Sequence, residues 1–160
     1  AGGGPPDLAT ARGVGRTKYG FGLNWEQPLG RHAGWFARAS WNDGVHETWA
    51  FTEIDQSISA GLWASGHLWR RPYDGAGLAA VANGLSDPHR RYLEAGGLGF
   101  MVGDGRLTYA PEAIAECYYS VHLHDQHFWV SPHAQFILNP AYNRDRGPVW
   151  VFGVRVHVAF

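Results

Sequence analysis

Apolar and polar residues alternate along most of this chain, most sharply at its end. There Trp150, Phe152, Val154, Val156, Val158 and Phe160 are apolar, and Val151, Gly153, Arg155, His157 and Ala159 lie between them. A period of two predicts a strand with one greasy face. The same rhythm occurs earlier. Tyr19, Phe21, Leu23 and Trp25 alternate with Lys18, Gly20, Gly22, Asn24 and Glu26, and Trp35, Ala37, Ala39 and Trp41 with Phe36, Arg38, Ser40 and Asn42. A third strand is predicted over 51–65, with Ile54, Ile58, Ala60 and Leu62 on one face and Glu53, Asp55, Ser57, Ser59 and Gly61 on the other. Gln56 is a polar exception on its apolar face. A short strand of small residues follows at 77–83. Ala115, Cys117, Tyr119, Val121 and Leu123 then alternate with Glu116, Tyr118, Ser120 and His122. Phe128, Val130, Ala134, Phe136 and Leu138 alternate with Trp129, Ser131, His133 and Gln135. Pro132 has no N–H for the ladder and demands a bulge or a local gap in that strand.

Two stretches break the rhythm. Residues 1–16 are rich in Gly and Pro and read as a loop or linker before a β domain at 17–160. The stretch 86–112 reads as a long loop with a short helix at 88–95, because Ser86 or Asp87 can cap its start, Pro88 suits its first turn and Gly96 its end. Loops of this length in a β domain are usually functional.

About seven strands result, and their connections alternate in length. Short ones fall near 28–33, 67–75 and 124–127, long ones near 42–50, 86–112 and 139–148. Sorting of this kind matches a transmembrane β-barrel, with short turns at the periplasmic end and long loops outside. The predicted fold class is therefore all-β, an antiparallel transmembrane barrel. An odd count of strands does not close such a barrel. The chain is expected to be the C-terminal seven or eight strands of a larger one, with the N-terminal half or another copy completing it. The chain has no initiator Met and no signal peptide, and is expected to be processed or part of something longer.

Composition narrows the choice. The 160 residues carry net charge -1, which argues against nucleic acid. The single Cys117 forms no internal disulfide. No apolar run reaches the length of a membrane helix. The 22 Gly, 8 Trp, 7 Tyr and 8 Phe, against 17% charged residues, suit short strands, tight turns and aromatic girdles. Sugar-binding sandwiches share that composition, so a soluble all-β carbohydrate-binding module is the alternative.

The motifs WNDG, WAFTEID, GLAAVANGLSDPHRRYLEAGGLGF, GDGRLTY, NPAYNRDRGPV and VFGVRVHVAF occur here in one order. Together they resemble the C-terminal half of the carbohydrate-selective porins of the OprB family, from about Tyr19 to Phe160. The terminal strand also resembles the closing strand that the barrel-assembly machinery reads, with Phe152, Val154, Val156, Val158 and Phe160 as the signal. The resemblance implies a bacterial outer-membrane channel for glucose-type sugars with roughly 16 strands. Its partners would be sugars, outer-membrane lipid and the assembly machinery, with no cofactor.

A sugar pore needs carboxylates, Arg and aromatic faces on its inner wall. The inward register offers Arg38, Glu53, Asp55, Asn83, Glu116, Tyr118, His133, Gln135 and Arg155. Arg90, Arg91, Asp104 and Arg106 of the long loop are candidates to narrow the pore. Other chemistry is disfavoured. His122, His124, Asp125 and His127 straddle a tight turn, and their spacing misses the metal motif they approximate. Glu53 and Asp55 on one strand face would point the same way and not flank a glycosidic bond, so no enzyme is expected. Gly13–Arg16 is too short for a phosphate loop.

Overall fold

The computed structural model describes residues 4–7, 9, 13, 15–47, 53–124 and 127–159. Seven antiparallel strands form one sheet in sequence order: β1 (Gly20–Pro28), β2 (Ala33–Asn42), β3 (Gln56–Ser65), β4 (Gly75–Gly84), β5 (Glu112–His124), β6 (Phe128–Leu138) and β7 (Val149–Val158). One helix, α1 (Asp87–Glu94), lies between β4 and β5. No helix among the described residues is long and apolar enough to cross a membrane. Every strand pairs only with its neighbours in sequence, so β1 and β7 are the two edges of the sheet.

Register preserves the alternation from strand to strand. Leu23, Ala39, Ile58, Ala82 and Ala113 lie opposite one another on the outward face, as do Cys117, Ala134 and Phe152. Ala, Val, Ile and Leu make up much of that face, with Trp25 and Phe152 among them. Aromatic residues gather toward its ends: Tyr19 and Phe21 stand against Trp41, and Trp69 against Tyr119. This face is uncovered, with Leu23 at 71%, Val154 at 66% and Phe152 at 74% exposure. A sandwich would bury these side chains under a second sheet. Among the described residues there is one sheet and no second layer over it.

Apolar burial occurs elsewhere. The connections after β1, β3 and β5 leave one end of the sheet, and the longer ones after β2, β4 and β6 leave the other. In the long connections Leu85, Leu93, Leu107 and Tyr142 form the buried apolar cluster, with Tyr92, Val102 and Tyr109 against it. The helix begins where the sequence indicates. The Ser86 hydroxyl accepts the His89 N–H at 3.3 Å, Pro88 lies in the first turn, and Gly96 follows the end at φ +91°. Pro132 leaves a gap and no bulge. Tyr118 pairs with His133 and Val121 with Val130 in one register, and between them the Ser131 hydroxyl donates to Ser120 Oγ at 2.9 Å.

The third strand differs from expectation. It begins at Gln56, and of the predicted start, 51–52 fall outside the described residues. Glu53 and Asp55 precede the strand and are buried, at 6% and 1% exposure. The strand at 77–83 is longer than expected, at Gly75–Gly84. Phe160 lies outside the described residues, as do Asp125 and Gln126.

Candidate functional site

The inward face is polar and open. Register brings Arg38, Glu116, Tyr118, His133, Gln135 and Arg155 to it from β2, β5, β6 and β7. Arg38 donates to Asn24 Oδ1 at 2.8 Å and to Glu26 Oε1 at 3.1 Å, and its guanidinium lies 4.9 Å over the Phe36 ring. Gln135 donates to Glu116 at 2.8 Å. Arg155 is exposed opposite Ser131.

Three of the expected lining residues are enclosed. Asn83 shares the inward register but is 5% exposed, accepting from the Ser57 hydroxyl at 2.9 Å and donating to Glu112 at 3.4 Å. The Glu53 carboxylate accepts the backbone N–H groups of Phe100, Met101 and Val102 at 2.8–2.9 Å, and the Tyr142 hydroxyl donates to the Glu53 carbonyl. Asp55 accepts from the Ser86 N–H at 2.9 Å and lies 2.9 Å from His89 Nδ1, with Lys18 Nζ at 4.0 Å. Glu53 and Asp55 therefore anchor the long loops and do not line the wall, because a carboxylate this enclosed needs dedicated donors. Burial raises the Asp55 carboxyl, but the hydrogen bonds from His89 and Ser86 outweigh it and hold the group below its ordinary value. The Tyr142 hydroxyl is pushed up by burial and by the nearby carboxylates of Glu112, Asp55 and Glu53.

The loop candidates divide in the same way. Arg90 pairs with Asp87 and lies 4.7 Å over the Tyr109 ring, while Asp104 takes Arg146 and the Asn143 amide. Arg91 and Arg106 are exposed. At the other end of the sheet Asp74 accepts from Arg71, from the Tyr119 hydroxyl at 2.6 Å and from the His122 N–H at 2.9 Å. Burial works against ionisation there, yet these donors bring the carboxyl down to about 2. Among the described residues no three His, Cys, Asp or Glu side chains gather as a metal site requires.

Tyr118 and His133, expected on the inward register, belong to a row one step below Glu116 and Gln135 whose other members, Trp63 among them, carry no such signal in the sequence. Gly34, Trp63, Gly77, Tyr118, His133 and Gly153 pair in succession from β2 to β7. A Cβ at Gly34 would strike the Trp63 indole, at Gly77 the Tyr118 ring, and at Gly153 the His133 imidazole. Each ring therefore lies along the wall across a glycine of the adjoining strand. Phe36 lies across Gly61 in the same manner.

The family model for the carbohydrate-selective porin, OprB family, matches residues 3–160. This chain belongs to that family. Among solved structures, the porin-family fold is similar to the high-pH structure of Pseudomonas putida OprB, with a TM-score of 0.72 at 21% identity. The match covers 89% of this chain and 36% of that one, so this OprB-family chain spans about a third of that structure's length. None of the curated proteins compared matches it. In this chain of the OprB family, one face of the sheet is apolar and uncovered and the other carries the polar side chains described above.

Proposed function

We propose that this chain forms part of the wall of a bacterial outer-membrane channel through which sugars diffuse passively. The carrying observation is the sheet itself: a single layer with an uncovered apolar face, aromatic at its ends, and a polar face bearing Arg38, Glu116, Gln135 and Arg155. Lipid covers the first face and water the second. Charged groups and amides on the water side exchange hydrogen bonds with sugar hydroxyls, weakly enough for release. No bond is made or broken, so the chain acts as a conduit and not as an enzyme. The edges of β1 and β7 pair with further strands that close the barrel. Of the loop candidates, Arg91 and Arg106 are the ones free to reach a passing solute. The outward residues Phe152, Val154, Val156 and Val158 would serve both lipid contact and recognition by the assembly machinery.

Reconstitution of the full native protein in a planar bilayer tests this reading. Stable channels whose ion current falls as glucose is added support it. Stable channels indifferent to sugar would make it a general porin, and a protein that stays soluble without detergent would remove the membrane role.

A further inference from the structure

The row through Trp63, Tyr118 and His133 has a property that the charged residues lack. Each ring is laid across a glycine, so one face covers backbone and the other is turned to the water side. Trp63 and Tyr118 keep 46% and 39% of their surface exposed. Both pair with Gly77, one from each side, so they stand two strand spacings apart, about 10 Å. The wall already uses one such ring in this way: the planar guanidinium of Arg38 covers the open face of Phe36. Trp63 and Tyr118 have no ring or cation over them among the described residues.

Polar groups border the row. On the side of the long loops are Glu116 and Gln135, and on the other side Ser120 and Ser131, joined at 2.9 Å. A flat apolar face beside paired donors and acceptors is the chemistry that recognises a pyranose, whose ring presents C–H groups on its faces and hydroxyls at its edge. The direction of the row matters as well. Strands of such a barrel tilt by about 35–45°, so a row perpendicular to them climbs the wall and does not ring it. Accordingly the row starts next to the short turn at Gly34 and reaches the middle of β7 at Gly153.

We propose that Trp63 and Tyr118 form a stacking track for pyranose sugars, rising along the inner wall from the short-turn end toward mid-barrel. This rests on the sugar-channel reading and specifies where on the wall the sugar rides.

The test uses the full native protein in a planar bilayer, with glucose-induced block of ion current as the readout. Trp63→Leu and Tyr118→Leu keep each glycine covered but remove the flat face. The expected result is a rise of roughly three- to ten-fold in the half-blocking glucose concentration for each, normalised to each variant's own sugar-free current. Tyr118→Phe should leave glucose block near the unmodified value. A second measurement needs no variant: glucose should block the unmodified channel at several-fold lower concentration than sorbitol, which carries hydroxyls but no ring. Unchanged block in both Leu variants, or equal block by glucose and sorbitol, would overturn the track. If the unmodified channel is not blocked by glucose at all, the sugar-channel reading itself fails.

Discussion

The long-loop cap and the strand wall of this molecule are built on opposite principles. Where the long connections meet, Leu85, Leu93, Leu107 and Tyr142 close a small apolar core, and Glu53 and Asp55 are enclosed by donors chosen for them. In the wall, the large apolar side chains of β1 and β7 face outward and uncovered. The loops fold as a water-soluble protein folds, by burying apolar surface and giving the enclosed carboxylates of Glu53 and Asp55 hydrogen-bond donors. The strands do not. Their order comes from the backbone ladder, and their apolar face has no protein cover among the described residues; on the proposed reading, lipid covers it. The difference teaches which residues are free to meet a solute. A polar residue near the long loops is committed to holding them, whereas one on the open wall, such as Arg38 or Glu116, still has hydrogen-bonding capacity toward the water side.

The comparison breaks first at Val154. Val154→Arg puts a charge at the centre of β7 on the outward face, and should cost about 2–4 kcal/mol of folding stability in bilayers, measured by urea titration in lipid vesicles. Arginine at a soluble surface would cost almost nothing, so a silent variant would erase the distinction between wall and loops.

Glu53→Gln sharpens the other side. One amide oxygen cannot serve the N–H groups of Phe100, Met101 and Val102 as the carboxylate does. The loop should lose about 2 kcal/mol of local stability, seen as faster proteolysis within 96–105 while the barrel stays intact.

Acid should act at both ends. Asp74 has an ordinary value of 3.8 and sits at about 2 here, so its contribution is complete above 3.8 and is lost as pH falls toward 2. Hydrogen exchange of the His122 N–H, which Asp74 accepts, should therefore be slow at pH 5 and speed up below about 4, beyond the intrinsic pH effect. Asp74→Asn should abolish that transition. Asp55 is lowered in the same direction, so the loop cap should also hold at pH 5 and loosen in stronger acid.

The smallest effect on stability is expected at Arg38. Its pair with Glu26 is exposed on both sides, and Arg38→Ala should change stability by less than about 1 kcal/mol. Its charge nevertheless faces the water side, so the cation-to-anion permeability ratio, read from reversal potentials, should rise.

Much of this was legible in the sequence because a strand has a period of exclusively local origin. Trp150 through Val158 reveal their two faces without any partner, and Ser86 and Pro88 mark the helix start by their own backbone preferences. The family resemblance supplied the barrel, and the family match bears it out. Glu53 and Asp55 were placed on the wall because their parity fits. Parity carries no information on whether a loop 31 to 49 residues away will fold over a side chain. The stacking row was missed for a related reason. Trp63, Gly77 and Tyr118 are distant in sequence, and only the cross-strand register reveals that two rings share one glycine row. A search for glycines facing aromatics at successive hairpin registers would have found it.

Thiol labelling along β7 shows whether the two faces of this sheet meet different solvents. With Cys117 replaced by Ala, single cysteines at positions 152 to 157 of the full protein in its membrane would be exposed to a charged, water-soluble thiol reagent. A period of two is expected, with rapid labelling at 153, 155 and 157 and protection at 152, 154 and 156. Uniform labelling at all six positions, or the opposite parity, would contradict it.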